Sequence, residues 1–207
     1  EAVKAIEVGI SMVADLKEKG YNVLATGEMG IGNTTTSSAV CSVLLDQSVE
    51  KVTGKGAGLT NKDLEHKIEV IRQSIALNKV NADDPLDVLA KVGGLDIAGM
   101  AGCYIGGAAL NIPVFIDGFI SSVAALIAIR LVPECAPYLF PSHCSNEPAG
   151  RMILDAIGKQ PYILANMCLG EGTGAVMGFT IADYAFKAHW ELPSFEQTNF
   201  GTYEELN

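Results

Sequence analysis

Three glycine-rich segments carry most of the residues able to do chemistry. The first is Gly27-Glu28-Met29-Gly30-Ile31-Gly32-Asn33-Thr34-Thr35-Thr36. Glycines after a strand let backbone N–H groups approach an anion, and a helix that follows offers its positive end. The hydroxyls of Thr34, Thr35 and Thr36 add neutral donors. The segment matches neither common nucleotide loop. A P-loop ends in Gly-Lys-Ser/Thr where this chain has Gly32-Asn33-Thr34, and the glycines follow GxxGxG, not GxGxxG. No acidic residue ends a second strand about twenty positions on. ATP and NAD therefore fit poorly. A phosphate on a smaller ligand is the functional reading, and a tight strand-to-helix connection the structural one.

The second segment, Thr53-Gly54-Lys55-Gly56-Ala57-Gly58, reads either as another wall of an anion site or as a flexible loop. In the first case Lys55 or the downstream Lys67 supplies charge. The third is Leu169-Gly170-Glu171-Gly172-Thr173-Gly174-Ala175. A carboxylate at position 171 either favours the dipole of a following helix or acts as a general base. The flanking glycines let a flat ligand approach, and desolvation beside such a ligand raises a carboxyl pKa. Glu28, Asp96, Asp117 and Glu147 are the other acids in Gly- or Pro-marked settings, but their spacing is not that of metal ligands. Ser142-His143-Cys144-Ser145 resembles a nucleophile pair only superficially. Neighbours on a strand point to opposite faces, so His143 is not expected to activate Cys144. His66, His143 and His189 are read as surface or supporting residues. The five scattered cysteines, without a CxxC, are read as reduced thiols of a cytoplasmic protein.

These residues must be positioned by helices alternating with short apolar strands. Ala2 to Lys19 spaces Val3, Ile6, Ile10, Val13 and Leu16 as a helix does, and Gly20 is expected to close it as a left-handed cap. Tyr21 to Ala25 predicts a strand leading into the first glycine segment, and helical spacing resumes from Ser37 to Leu45. Asn61 is expected to cap a helix reaching about Asn78. Asp84-Pro85 should start another, ended by Gly93-Gly94. The uncharged stretch Ile97 to Ile116 is long enough to span a membrane. Its glycines, Asn111 and Pro113 instead divide it into a buried small-residue helix from Gly94 to Leu110, a turn and a strand from Pro113 to Ile116. Beyond it the pattern predicts a helix from Phe119 through Arg130, a strand over Tyr138 to Phe140 and a helix over Glu147 to Ile157. A strand over Tyr162 to Leu164 and a helix over Gly172 to Trp190 follow. The expected fold class is α/β, a three-layer, parallel Rossmann-like sheet flanked by helices. One domain over 1–190 and a peripheral tail over 191–207 are expected. Ligands of such sheets sit beyond the carboxyl ends of the strands, where the first glycine segment and Asp117-Gly118 fall.

Composition agrees. The chain's 207 residues are 49% apolar and 18% charged, enough for a sizeable core and far from disorder. Lys and Arg number 14 against 24 Asp and Glu, for a net charge of −10. With no basic run, a nucleic-acid partner is excluded. The chain opens on Glu1 directly inside an amphipathic helix, without a signal peptide, and is expected to be part of something longer.

Gly27 to Thr36 and Leu169 to Ala175 do not stand alone. With Gly93-Gly94-Leu95-Asp96-Ile97-Ala98-Gly99-Met100, Pro113-Val114-Phe115-Ile116-Asp117-Gly118-Phe119-Ile120 and Ser142-His143 followed by Glu147-Pro148, the chain resembles the nicotinate-nucleotide–dimethylbenzimidazole phosphoribosyltransferase family. The match runs over nearly the whole chain but begins partway through the family pattern, covering somewhat more than its C-terminal half. The resemblance implies pentosyl transfer from nicotinate mononucleotide to dimethylbenzimidazole, giving α-ribazole phosphate and nicotinate in assembly of the cobalamin lower-ligand nucleotide.

It further implies Glu171 as the base and Glu28 as a second catalytic carboxylate near C1 of the ribose or orienting the loop. Gly30, Ile31, Gly32, Asn33, Thr34 and Lys67 would hold ribose and phosphate. Met29, Leu169 and Gly170, with Met177 nearby, would face the base. No cofactor and no metal are implied, and a cytoplasmic homodimer is expected. Two departures are visible: Cys144 stands where the family often has arginine, and Lys55 where arginine is common. With the family's N-terminal part missing, weak or no turnover is expected of this chain alone. The alternatives are a transferase for another aromatic base and a non-catalytic phosphonucleotide-binding subunit that needs a partner chain.

Overall fold

Val114-Phe115-Ile116 is buried at every position, as a central parallel strand requires. In the computed structural model, which describes residues 1–195, 197 and 198, this strand (β2, Val114–Ile116) lies between β1 (Leu24–Ala25) and β3 (Leu139–Pro141), all parallel. Leu24 pairs with Val114, and Val114 with Leu139. Side-chain alternation sorts β2 between two layers. Val114 and Ile116 enter the main core, while Phe115 stacks on Phe140 and meets Phe179 edge-on at a centroid distance of 5.0 Å. The fold is therefore the expected α/β sheet flanked by helices, with three paired strands.

Helices build the rest: α1 (Ala2–Glu18), α2 (Asn33–Leu44), α3 (Val49–Val52), α4 (Asn61–Asn78), α5 (Pro85–Val92), α6 (Leu95–Ala109), α7 (Phe119–Leu131), α8 (Gly150–Ala156) and α9 (Thr173–Glu191). α7 is buried from Phe119 to Ala128 and forms the heart of the core with α6. α6 accepts α1 at backbone contact: a Cβ on Gly9 would overlap the Gly99 carbonyl, and one on Gly102 the Ile6 carbonyl. This contact explains the small-residue composition of the uncharged stretch. Among the described residues, no helix is long and apolar enough to cross a membrane.

Several expected boundaries shift for local reasons. Gly20 does close α1 in the left-handed region at φ +88, with the Tyr21 N–H bonded to the Leu16 carbonyl. The first strand shrinks to Leu24–Ala25, where pairing with β2 begins, and leaves Tyr21 and Val23 exposed. α2 begins at Asn33, not Ser37, because Gly32 turns the chain directly into the helix. Thr60, not Asn61, caps α4: its hydroxyl accepts the Asp63 N–H while Asp63 accepts the Thr60 N–H, a reciprocal capping box.

The one-turn helix α3 carries no spacing signal of its own, and a 3-10 turn over Pro133–Tyr138 precedes β3. The helix expected from Glu147 starts at Gly150, because a turn bonds the Gly150 N–H to the Glu147 carbonyl first. The strand expected over Tyr162 to Leu164 reduces to a single parallel bridge between Ile163 and His143. Most of the expected tail, residues 196 and 199–207, lies outside the described residues.

Candidate active site

The carboxyl ends of β1, β2 and β3 open on a cleft of about 330 Å³, where a parallel sheet places its ligands. Thr26 anchors the loop that leaves β1. Its N–H donates to the Phe115 carbonyl at 3.0 Å, and its hydroxyl lies 2.7 Å from that of buried Tyr104. The Tyr104 hydroxyl in turn donates to the Ser121 carbonyl at 3.1 Å. With its root held, the loop runs past Glu28 and Gly30 to Gly32, which adopts φ +84 and leads into α2 without any side-chain cap among the described residues. The N–H groups of a helix's first turn lack intrahelical partners, so this terminus offers donors to an anion.

Lys67 supports the same end from beneath. It is 7% exposed and donates to Thr34 Oγ1 at 2.9 Å and to the Gly54 carbonyl at 3.0 Å. Burial holds its ammonium pKa below the ordinary lysine value, against the opposing charge of Glu147. Glu147 is the mirror case, raised by burial and drawn back by Lys67. Gly56 and Ala57 of the second glycine segment form the facing wall, whereas Lys55 is exposed and outside the cleft. The charge for this end therefore comes from Lys67.

Acidic groups gather beside the same terminus. The Asn33 amide nitrogen donates to Glu28 Oε2 at 2.7 Å and to Asp96 Oδ2 at 2.8 Å, tying two carboxylates to the start of α2. Burial raises the Glu28 pKa; the Asn33 bond opposes this, and Asp117, Asp96 and Glu171 push it further up. Glu171 is exposed, at the cleft edge, on a left-handed run of three residues: Gly170 at φ +78, Glu171 at +58 and Gly172 at +76. A non-glycine residue there costs roughly 1–2 kcal/mol. Contacts with Glu28 and Asp117 help to hold the run. The Glu171 N–H donates to the Glu28 carbonyl at 3.2 Å. The buried carboxylate of Asp117, at the end of β2, accepts N–H groups from Gly172 at 2.9 Å, Gly174 at 2.8 Å and Ala175 at 3.1 Å. Asp117 thus fills the N-terminus of α9, leaving the Glu171 carboxylate free of that structural task.

Most sequence-expected residues meet here. Glu28, Met29, Gly30, Ile31, Thr34, Leu169, Gly170 and Glu171 border the cleft. Asn33 stands behind Glu28, Gly32 forms the turn before α2, and Lys67 acts through Thr34. Met177 is not on the wall; it lies exposed on α9. Sequence reasoning missed the capping role of Asp117, although a polar residue just past a β-strand's carboxyl end was a usable signal. It also missed His143 as a residue of the cleft. The imidazole borders the cleft, whereas Cys144 sits behind it with its sulfur 3.8 Å from the Ser145 carbonyl. All five cysteines are free. Chemically, the cleft can take an anion at the α2 end and stabilise positive charge between Glu28 and Glu171, where an exposed carboxylate is available to accept a proton.

Comparison with known proteins places this geometry. A phosphoribosyltransferase family model (DBI_PRT) matches residues 1–200. The nicotinate-nucleotide–dimethylbenzimidazole phosphoribosyltransferase of Ruminiclostridium cellulolyticum is 54% identical over 206 residues, covering 100% of this chain and 58% of that protein. The protein of the same name from Acetivibrio thermocellus is 50% identical, covering 99% of this chain and 58% of its own length. Among solved structures, CobT from Thermus thermophilus superposes with a TM-score of 0.89 at 33% identity, covering 95% of this chain and 58% of that one. The chain thus spans 58% of the length of these curated relatives.

Proposed function

The chain belongs to the phosphoribosyltransferase family that this model describes, and from that premise we propose that it transfers the phosphoribosyl group of nicotinate mononucleotide to dimethylbenzimidazole. The observation that carries the proposal is the two-signed cleft. The open α2 terminus, backed by Lys67 through Thr34, shares one cleft with the carboxylates of Glu28, which Asn33 holds at the start of α2, and Glu171.

In this reading the phosphate meets the loop through Gly30, Ile31 and Gly32 and the first-turn amides of α2 at Asn33 and Thr34. Lys67 acts as a positioning residue that neutralises the phosphate through Thr34. Positive charge then falls beside the carboxylates of Glu28 and Glu171, where the bond between ribose C1 and the pyridinium nitrogen breaks. Its electron pair leaves with that nitrogen, giving neutral-ring nicotinate. Glu28 stabilises the charge developing at C1. A benzimidazole nitrogen forms the new bond to C1, and the proton on its other nitrogen passes to the Glu171 carboxylate. Met29 and Leu169 offer apolar surface to the flat base, and Gly170 lets it approach. The step is displacement at carbon and calls for no electron carrier. A single catalytic domain over 1–190, a cytoplasmic location and a homodimer complete the proposal.

One observation favours a second reading. Met29 and Leu169 are each 68% exposed, so the base end is open and further polypeptide, from the same protein or a partner, would close it. The test serves both. The protein is incubated with nicotinate mononucleotide and dimethylbenzimidazole, and nicotinate release is followed. Glu171→Gln is expected to lower release by roughly a hundredfold or more. Release that survives the substitution removes Glu171 as the base. Nucleotide binding without release supports the partner-dependent reading.

A further inference from the structure

We infer that His143 recognises the sugar of the phosphoribosyl donor, its Nε2 accepting a hydrogen bond from a ribose hydroxyl; the inference rests on the phosphoribosyl reading. His143 is only 2% exposed, yet its ring borders the cleft. Its Nδ1 lies 3.1 Å from Ser142 Oγ, and that hydroxyl donates to the Asp117 carbonyl at 3.2 Å. A serine hydroxyl has a single proton. With that proton committed to Asp117, Ser142 accepts from Nδ1–H, and the network assigns Nε2 as the bare acceptor. Burial lowers the imidazole pKa and so favours the neutral ring, against the opposing field of Asp117. Among the described residues, Nε2 has no hydrogen-bond partner.

Two glycines shape the slot around this atom. A Cβ on Gly174 would overlap the Nδ1 edge, so α9 packs its backbone directly on the ring. A Cβ on Gly118 would stand 3.5 Å from Nε2, at ordinary contact distance, so glycine keeps this side of the buried nitrogen free of a side chain. A buried acceptor left unpaired is costly, and a ligand able to donate recovers the loss. The phosphate and nicotinate carboxylate of the donor are acceptors, so its hydroxyls are the donors that suit Nε2. The N–H of the incoming base is already assigned to Glu171. His143 is therefore a specificity residue for ribose over deoxyribose.

The experiment measures binding alone, by calorimetry, of nicotinate mononucleotide and its 2′-deoxy and 3′-deoxy forms to the protein and to His143→Leu, His143→Gln and Gly118→Ala. The unsubstituted protein is expected to prefer the ribonucleotide over at least one deoxy form by on the order of tenfold to a hundredfold. His143→Leu should bring that ratio close to one, and His143→Gln, whose carbonyl oxygen can accept, should restore part of it. Gly118→Ala keeps the test alive should His143→Leu fail to fold. Its backbone φ of −105 suits alanine, and the added methyl meets only the ring edge. That methyl takes the space of the hydroxyl, so the ribonucleotide should weaken while the deoxy form is spared. Equal binding of all three nucleotides by the unsubstituted protein overturns the assignment, as does a ratio unchanged by both His143→Leu and Gly118→Ala. Binding of none of the three overturns the phosphoribosyl reading itself.

Discussion

Helices α2 and α9 each follow a glycine in the left-handed region, Gly32 at φ +84 and Gly172 at φ +76, and neither glycine brings a capping side chain. Their termini are nonetheless used differently. At α9 the carboxylate of Asp117 arrives from β2 and takes three N–H groups. At α2 no side chain among the described residues caps the first turn, and Lys67 adds positive charge beneath it through Thr34. The same turn geometry thus yields an internally satisfied terminus that fixes Glu171 and an open terminus suited to an external anion. What separates them is the supply of a carboxylate by a distant strand, not the composition of either loop.

Removing that carboxylate tests the difference most severely. Asp117→Ala leaves the α9 amides buried and unpaired, and an expected loss of about 3 kcal/mol should appear as a lower urea midpoint. Nicotinate release should fall with it, because the Glu171 run loses its hold. Unchanged stability would mean that α9 does not depend on its internal cap.

On the open side, Lys67→Met keeps the length of the side chain but removes its charge. Calorimetry should show affinity for nicotinate mononucleotide reduced by about tenfold or more. Unaltered affinity would assign the anion to the α2 amides alone. The smallest effect on stability belongs to Glu171→Gly. Relief of the left-handed conformation, less the entropy glycine loses on folding, should raise stability by up to about 1 kcal/mol while abolishing nicotinate release. Lower stability would show that the side chain contributes to the fold and is not merely held against its backbone preference.

Legibility followed the range of the interactions. The first glycine segment was readable because its parts are neighbours: Gly32, Asn33 and Thr34 form the turn and the helix start, and Asn33 reaches Glu28 within the same segment. The buried helix and strand between Ile97 and Ile116 were readable from glycine, asparagine and proline punctuation. Strand lengths were less so, because Tyr21 to Val23 have strand-like composition but pairing begins only at Leu24. The cap of α4 was misplaced by one residue, since Thr60 and Asn61 are both good caps and only the Asp63 reciprocity chooses between them. His143 was legible only as part of a family segment, not as a residue of the cleft. Its importance arises from Ser142, Asp117, Gly118 and Gly174 converging on one ring.

The order of most elements, the α/β class and the glycine loops were determined by the sequence alone, because periodicity, punctuation and spacing are local properties of a chain. Which helix terminus stays open, which acid fills the other and which buried nitrogen faces the cleft were decided only by the tertiary structure. Each depends on desolvated polar groups finding partners from distant strands, and that pairing is energetic bookkeeping that no single segment contains.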